Sequence, residues 1–236
     1  MSDPLVLVPG MMCDARLFMP QIKDLSRDMA VQVAAISDGA TIREMASLVL
    51  AAAPERFALA GLSMGGIVAM EVLRRAPERV SRIAMMSTTP LAETPEQAAW
   101  REPQIVKANA GRLDEAMVAA MSADNLAPGV GRNAILHQII DMAYDFGPTV
   151  FIRQSRALQR RPDAQKVLRQ MKVPTLVLCG AHDKLTPVKR HEFMAELIPF
   201  AELEVIEDAG HLPTLEAPEQ VNAALRRWMA QPLVLR

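Results

Sequence analysis

Aromatic residues are scarce: one Tyr, two Trp and six Phe make up 4% of 236 residues. Core and pocket walls must therefore be built from aliphatic side chains and 16 methionines, whose flexible thioethers suit an adaptable apolar site. Cysteine is nearly absent. Cys13 and Cys179 form neither a metal-ligand spacing nor a disulfide framework, and they read as reduced cytoplasmic thiols. Charge of one sign is missing too. With 26 basic against 27 acidic side chains the net charge is −1, which argues against a nucleic-acid partner. The longest uncharged stretch, Phe57 to Met70, has 14 residues, short of the 18 or more of a spanning helix, so no membrane partner is expected. Met1-Ser2-Asp3 leads directly into an apolar run without a basic leader or a cleavage site, which again points to a cytoplasmic chain. No His-Glu-x-x-His is present, and Gly61, Gly65 and Gly66 do not fit a dinucleotide-loop register. No metal and no cofactor are expected.

What is present is alternation. Short apolar runs at Leu5–Val8, Val31–Ile36, Phe57–Gly61, Val80–Ser87, Thr175–Gly180 and Glu202–Ile206 read as strands. Segments of helical period fall between them at Ala15–Met29, Ile42–Ala53, Met64–Arg75, Val188–Leu197 and Pro218–Met229. Thr41 with Glu44 forms a capping-box pattern, and Asp14 stands where a helix cap would. The alternation predicts an α/β fold: a mainly parallel sheet of six strands with helices on both faces. About 85 residues separate the fourth and fifth strands, far more than one crossover needs. Helical patterns fill the interval at Thr94–Ala108, Leu113–Ser122 and Asn133–Phe146, followed by a return helix at Thr149–Arg161. The expected organisation is a core of residues 1–89 and 149–236 with a helical lid at 90–148.

Chemistry concentrates at Gly61-Leu62-Ser63-Met64-Gly65, where a strand gives way to a helix. A turn that sharp strains the central residue and lifts its side chain above the sheet, while the flanking positions leave no room for a Cβ. A helix N-terminus beneath the serine adds free N–H groups and partial positive charge. Serine needs a base. His211 follows the last strand in Asp208-Ala209-Gly210-His211, whereas His137 lies in an apolar helical pattern and His182 and His191 read as exposed. The base needs a carboxylate to fix its tautomer, and Asp183 in Gly180-Ala181-His182-Asp183 follows the fifth strand. The order Ser63, Asp183, His211 places each group at the C-terminal end of a parallel strand.

These three motifs, with Glu216-Ala217-Pro218-Glu219 after the histidine, span nearly the whole chain and resemble the α/β-hydrolase family in its small lid-bearing branch of carboxylesterases, C–C hydrolases and haloperoxidases. The resemblance implies an oxyanion hole from the backbone N–H groups of Met64 and of Met11, in the loop Val8-Pro9-Gly10-Met11. Two features depart from the pattern. Pro9-Gly10 stands where many relatives have His-Gly, and the antiparallel strand pair that opens many relatives is expected to be missing.

The implied function is a serine hydrolase acting on a small carboxylic ester or related acyl substrate through an acyl-enzyme. The same residues could instead serve C–C, amide or perhydrolysis chemistry, or sit unused in a ligand receptor. Met12, Cys13, Trp100, Met117, Met121, Tyr144 and Phe146 are candidate substrate-pocket residues, with Cys13 a wall residue and not a second nucleophile. The basic stretch Arg153–Lys172 reads as a solvated helix face, with a substrate-steering rim as the alternative.

Overall fold

The sheet follows from its sequence pattern. Every residue of β1 (Leu5–Val8) is buried, and alternate side chains enter opposite layers: Leu5 and Leu7 on one face, Val6 and Val8 on the other. A strand apolar on both sides belongs between two helical layers. The structure, a computed structural model, describes residues 3–233. The first turn of helix after β1 is a 3-10 segment, Ala15–Phe18, which runs into α1 (Met19–Leu25). Then come β2 (Val31–Val33), α2 (Ile42–Ala52), β3 (Phe57–Leu62), α3 (Met64–Arg75) and β4 (Val80–Met86). Helices α4 (Pro95–Asn109), α5 (Leu113–Ala120), α6 (Arg132–Gln159) and α7 (Gln165–Arg169) separate β4 from β5 (Thr175–Gly180). The chain continues through α8 (Val188–Leu197), β6 (Ala201–Ile206), α9 (Pro213–Glu216) and α10 (Pro218–Ala230).

All six strands are parallel, in the order β2-β1-β3-β4-β5-β6. Helices α1 and α10 cover one face; α2, α3, α7 and α8 cover the other. The register aligns the C-terminal ends: Val8 opposite Gly61, Leu62 opposite Met86, Met86 opposite Leu178, and Gly180 opposite Ile206. The loops after these strands therefore gather along one edge. Strand order reverses direction between β1 and β3, which opens a crevice there.

Several expected boundaries shift for local reasons. The helix predicted over Ala15–Met29 is a 3-10 turn and then a short helix. Asp14 Oδ1 accepts the Arg16 N–H at 2.8 Å, and Pro20, which has no N–H, can only begin the α-helix that follows. The edge strand β2 ends at Val33, not Ile36. The Thr41 cap forms as expected, but Glu44 reaches one residue further out, to the Ala40 N–H at 2.8 Å. The break expected before residue 149 is present: the span α6 is two helices joined at Gly147, whose backbone (φ 77°, ψ 173°) is non-helical immediately before Pro148.

The basic run does not form one solvated face. Arg153 donates to the Ser37 carbonyl, Arg156 pairs with Glu102, and Arg161 is only 9% exposed and pairs with Glu93. Arg160, Lys166, Arg169 and Lys172 keep to the expectation and are exposed. Among the described residues, no helix is long and apolar enough to cross a membrane.

Helix α10 is held by Trp228, fully buried, with its indole N–H donating to the Pro174 carbonyl at 3.2 Å; its own carbonyl accepts from buried Arg82 at 2.6 Å. Trp228→Ala should cost about 3–5 kcal/mol, because so large a void cannot close against a sheet. Denaturant unfolding checks this. A midpoint within error of the parent would show that α10 is not a structural layer.

Candidate functional site

Ser63 sits between β3 and α3 with φ 56° and ψ −116°, a conformation strained for any side-chain-bearing residue. Its neighbours make the turn possible. A Cβ on Gly61 would fall 2.2 Å from the Gly65 carbonyl oxygen, and one on Gly65 would fall 2.0 Å from that of Val8. Both peptide groups of Ser63 are tied down. Its N–H donates to Met86 O at 2.9 Å, and its carbonyl accepts from Thr88 Oγ1 at 2.7 Å.

His211 and Asp183 converge on this serine. His211 Nε2 lies 2.9 Å from Ser63 Oγ, and Nδ1 lies 2.8 Å from Asp183 Oδ2. An ionised carboxylate only accepts, so Nδ1 carries the proton and Nε2 faces the hydroxyl as an acceptor. Asp183 also accepts from the N–H groups of Leu185 and Thr186 and from the Thr186 hydroxyl, each within 2.9 Å. Burial opposes its charge. The His211 ring and these donors outweigh burial and hold the carboxyl below the ordinary aspartate range.

The histidine loop is fixed from two sides. The Glu216 carboxylate accepts the N–H groups of Gly210, Leu212 and Ala127 at 2.7–2.9 Å, and the His211 N–H donates to Asn125 O at 2.7 Å. Asn125 and Ala127 belong to the helical segment between β4 and β5, so that segment helps position the imidazole.

The loop after β1 completes the edge. Gly10 stands so close that a Cβ there would be 3.6 Å from Ser63 Cβ. The Met11 N–H has no acceptor among the described residues, and Met64, first in α3, has an N–H free of the helix's own ladder. Met12 is strained at φ 56° and is held by Gln154 of α6, whose Oε1 accepts its N–H at 2.8 Å. Gln154 thus anchors the loop that carries Pro9-Gly10. Its position inside a helical pattern gave no sign of that role.

A cavity of about 510 Å³ opens above Ser63. Cys13, Trp100, Met117 and Met121 line it, together with Met11 and Met64. Three expected wall residues do not. Met12 is fully buried in the core because its strained backbone turns it away, Tyr144 is 57% exposed, and Phe146 packs against the core just before the Gly147 kink. Burial pushes the Cys13 thiol up to about 12, which leaves it un-ionised and a poor nucleophile.

Comparison with known proteins agrees with this architecture. A sequence model of the alpha/beta hydrolase family matches residues 5–224. The chain belongs to the alpha/beta hydrolase family. It is a hydrolase, and several relatives are esterases by name. A pimeloyl-[acyl-carrier protein] methyl ester esterase from Aromatoleum aromaticum is 27% identical over 77% of each chain. The structure of a thermophilic esterase from Thermogutta terrifontis superposes with a TM-score of 0.84 at 26% identity, covering 97% of this chain and 90% of that one. The enol-lactonase from Burkholderia xenovorans shares the fold at 20% identity, with a TM-score of 0.84 over 98% and 93% of the two chains.

One residue of this hydrolase's site runs against sequence expectation. His191, read as exposed, is fully buried. Its Nε2 accepts the Thr88 N–H at 3.0 Å, and its Nδ1 faces Pro187 O at 3.4 Å. It therefore steadies Thr88, which in turn holds the Ser63 carbonyl. Burial pushes its pKa down to about 4, against the opposing charge of Asp183. An unfolded histidine takes its proton near 6.5, so the unfolded chain binds more protons between those values and folding weakens as pH falls. Below pH 6 the loss should approach about 1.4 kcal/mol per pH unit. Denaturant midpoints measured between pH 7.5 and 5 should fall less steeply in His191→Gln. Parallel slopes would exclude His191 as the source.

Proposed function

We propose that this protein is a serine hydrolase that cleaves small carboxylic esters in two steps. Ser63 attacks the carbonyl while His211 Nε2 takes its proton. His211 returns the proton to the leaving alcohol, and water then cleaves the acyl-enzyme by the same route. Asp183 keeps the Nδ1 proton in place and stabilises the imidazolium. The N–H groups of Met11 and Met64 hold the developing oxyanion, a contribution of about 3 kcal/mol per donor. Residues 90–148 act as a cover whose α4 and α5 side chains set substrate shape.

The observation that carries this reading is the unbroken line from Asp183 Oδ2 to His211 Nδ1 at 2.8 Å and from His211 Nε2 to Ser63 Oγ at 2.9 Å, raised on a strained turn. The names of the relatives support ester cleavage over other uses of the same residues.

A fluorophosphonate should label Ser63, identified by peptide mass, and the protein should turn over a short p-nitrophenyl ester. Ser63→Ala should remove labelling and lower turnover on the order of a millionfold; Asp183→Asn should lower it about ten-thousandfold. A Ser63→Ala protein that keeps most of its esterase rate would sink the assignment.

A further inference from the structure

The cavity above Ser63 is not uniformly apolar. Glu93, just before α4, has a side chain only 3% exposed, and its Oε1 accepts from Arg101 at 2.8 Å and from Arg161 at 2.7 Å. Two guanidinium groups share one carboxylate oxygen. A third, Arg190, is half-buried on the same wall, makes no ion pair among the described residues, and lies near enough for its charge to act on Arg161. Arg161 also donates to Leu91 O at 2.8 Å, so its position is fixed from the backbone.

Arg101, Arg161, Arg190 and exposed Lys184 line the cavity with two carboxylates, Glu93 and exposed Glu96, so cations outnumber anions two to one on a wall that packing alone would not charge. Buried charge is costly unless matched, and an enclosed excess of guanidinium is matched best by a planar oxyanion. The acidic groups on the wall do not remove the excess. Glu93 is already shared, and Glu96 is exposed at the first turn of α4. Ile67 and Leu158 line the same cavity and offer an aliphatic spacer a dry path.

Resting on the ester-hydrolase reading, we infer that Arg101, Arg161 and Arg190 form a carboxylate subsite, and that the natural substrates are esters carrying a free carboxylate at the end remote from the scissile bond. Arg161 is fixed by Glu93 and Leu91, whereas Arg190 lines the cavity with no carboxylate partner among the described residues. Charge at this end of the cavity acts mainly on binding, so the preference lies in KM.

The test pairs monomethyl adipate with neutral dimethyl adipate in a pH-stat assay. The half-ester should have the higher kcat/KM by about tenfold at low salt, with the advantage shrinking as ionic strength rises. In Arg190→Gln and in Arg101→Gln the ratio of the two kcat/KM values should fall at least about fivefold. A parent ratio at or below one, or a ratio unchanged in both variants, overturns the subsite. Calorimetric binding of adipate to Ser63→Ala separates this inference from the catalytic one. Adipate bound, and lost with Arg190→Gln, supports the subsite even if neither ester is cleaved. Cleavage of both esters at equal rates with no adipate binding removes the subsite and leaves the hydrolase reading intact.

Discussion

Everything at the site depends on one residue being held where L-amino acids rarely go. The backbone of Ser63 lies at φ 56°, a state that costs about 1–3 kcal/mol and persists only where the surroundings impose it. They impose it from four directions: β3 before, α3 after, Met86 O on the N–H, and Thr88 Oγ1 on the carbonyl. The return is geometric. Oγ stands clear of the sheet at a helix N-terminus, within 2.9 Å of an imidazole supplied by a loop nearly 150 residues later in the chain.

Two buried histidines, separated by a few hydrogen bonds, show how environment assigns roles. His211 lies between an ionised carboxylate and a hydroxyl, so it can take up a proton and have the resulting charge compensated. His191 lies between a carbonyl and an N–H, both neutral, and burial keeps it uncharged. The first arrangement has the geometry proton transfer requires. The second fixes a strut beneath the serine. Thr88 links them, bonded to His191 through its N–H and to Ser63 through its hydroxyl.

Strand positions, the helices α3 and α8, and the Ser63, Asp183 and His211 motifs were legible because each rests on local pattern: period 2 or 3.6, a glycine pair, a charged residue at a strand end. The pocket was legible only in part. Trp100, Met117 and Met121 face the cavity, whereas Met12 turns into the core because its own backbone is strained. Nothing local marks that strain in a non-glycine residue. Likewise Gln154 reads as an ordinary polar helix position, and its work depends on an N–H group 142 residues away.

The order of strands and helices, the sharp turn and the chemical types of the site residues followed from sequence alone, since sterics and hydrophobic period act over a few neighbouring positions. Tertiary structure decided which charges are matched. Arg161 belongs to a run of cations that reads as a wet surface, yet folding carries it inward to share the Glu93 carboxylate with Arg101, on a cavity wall that Arg190 also lines. Electrostatic balance is a sum over space, and positions distant in the chain contribute to it as fully as adjacent ones.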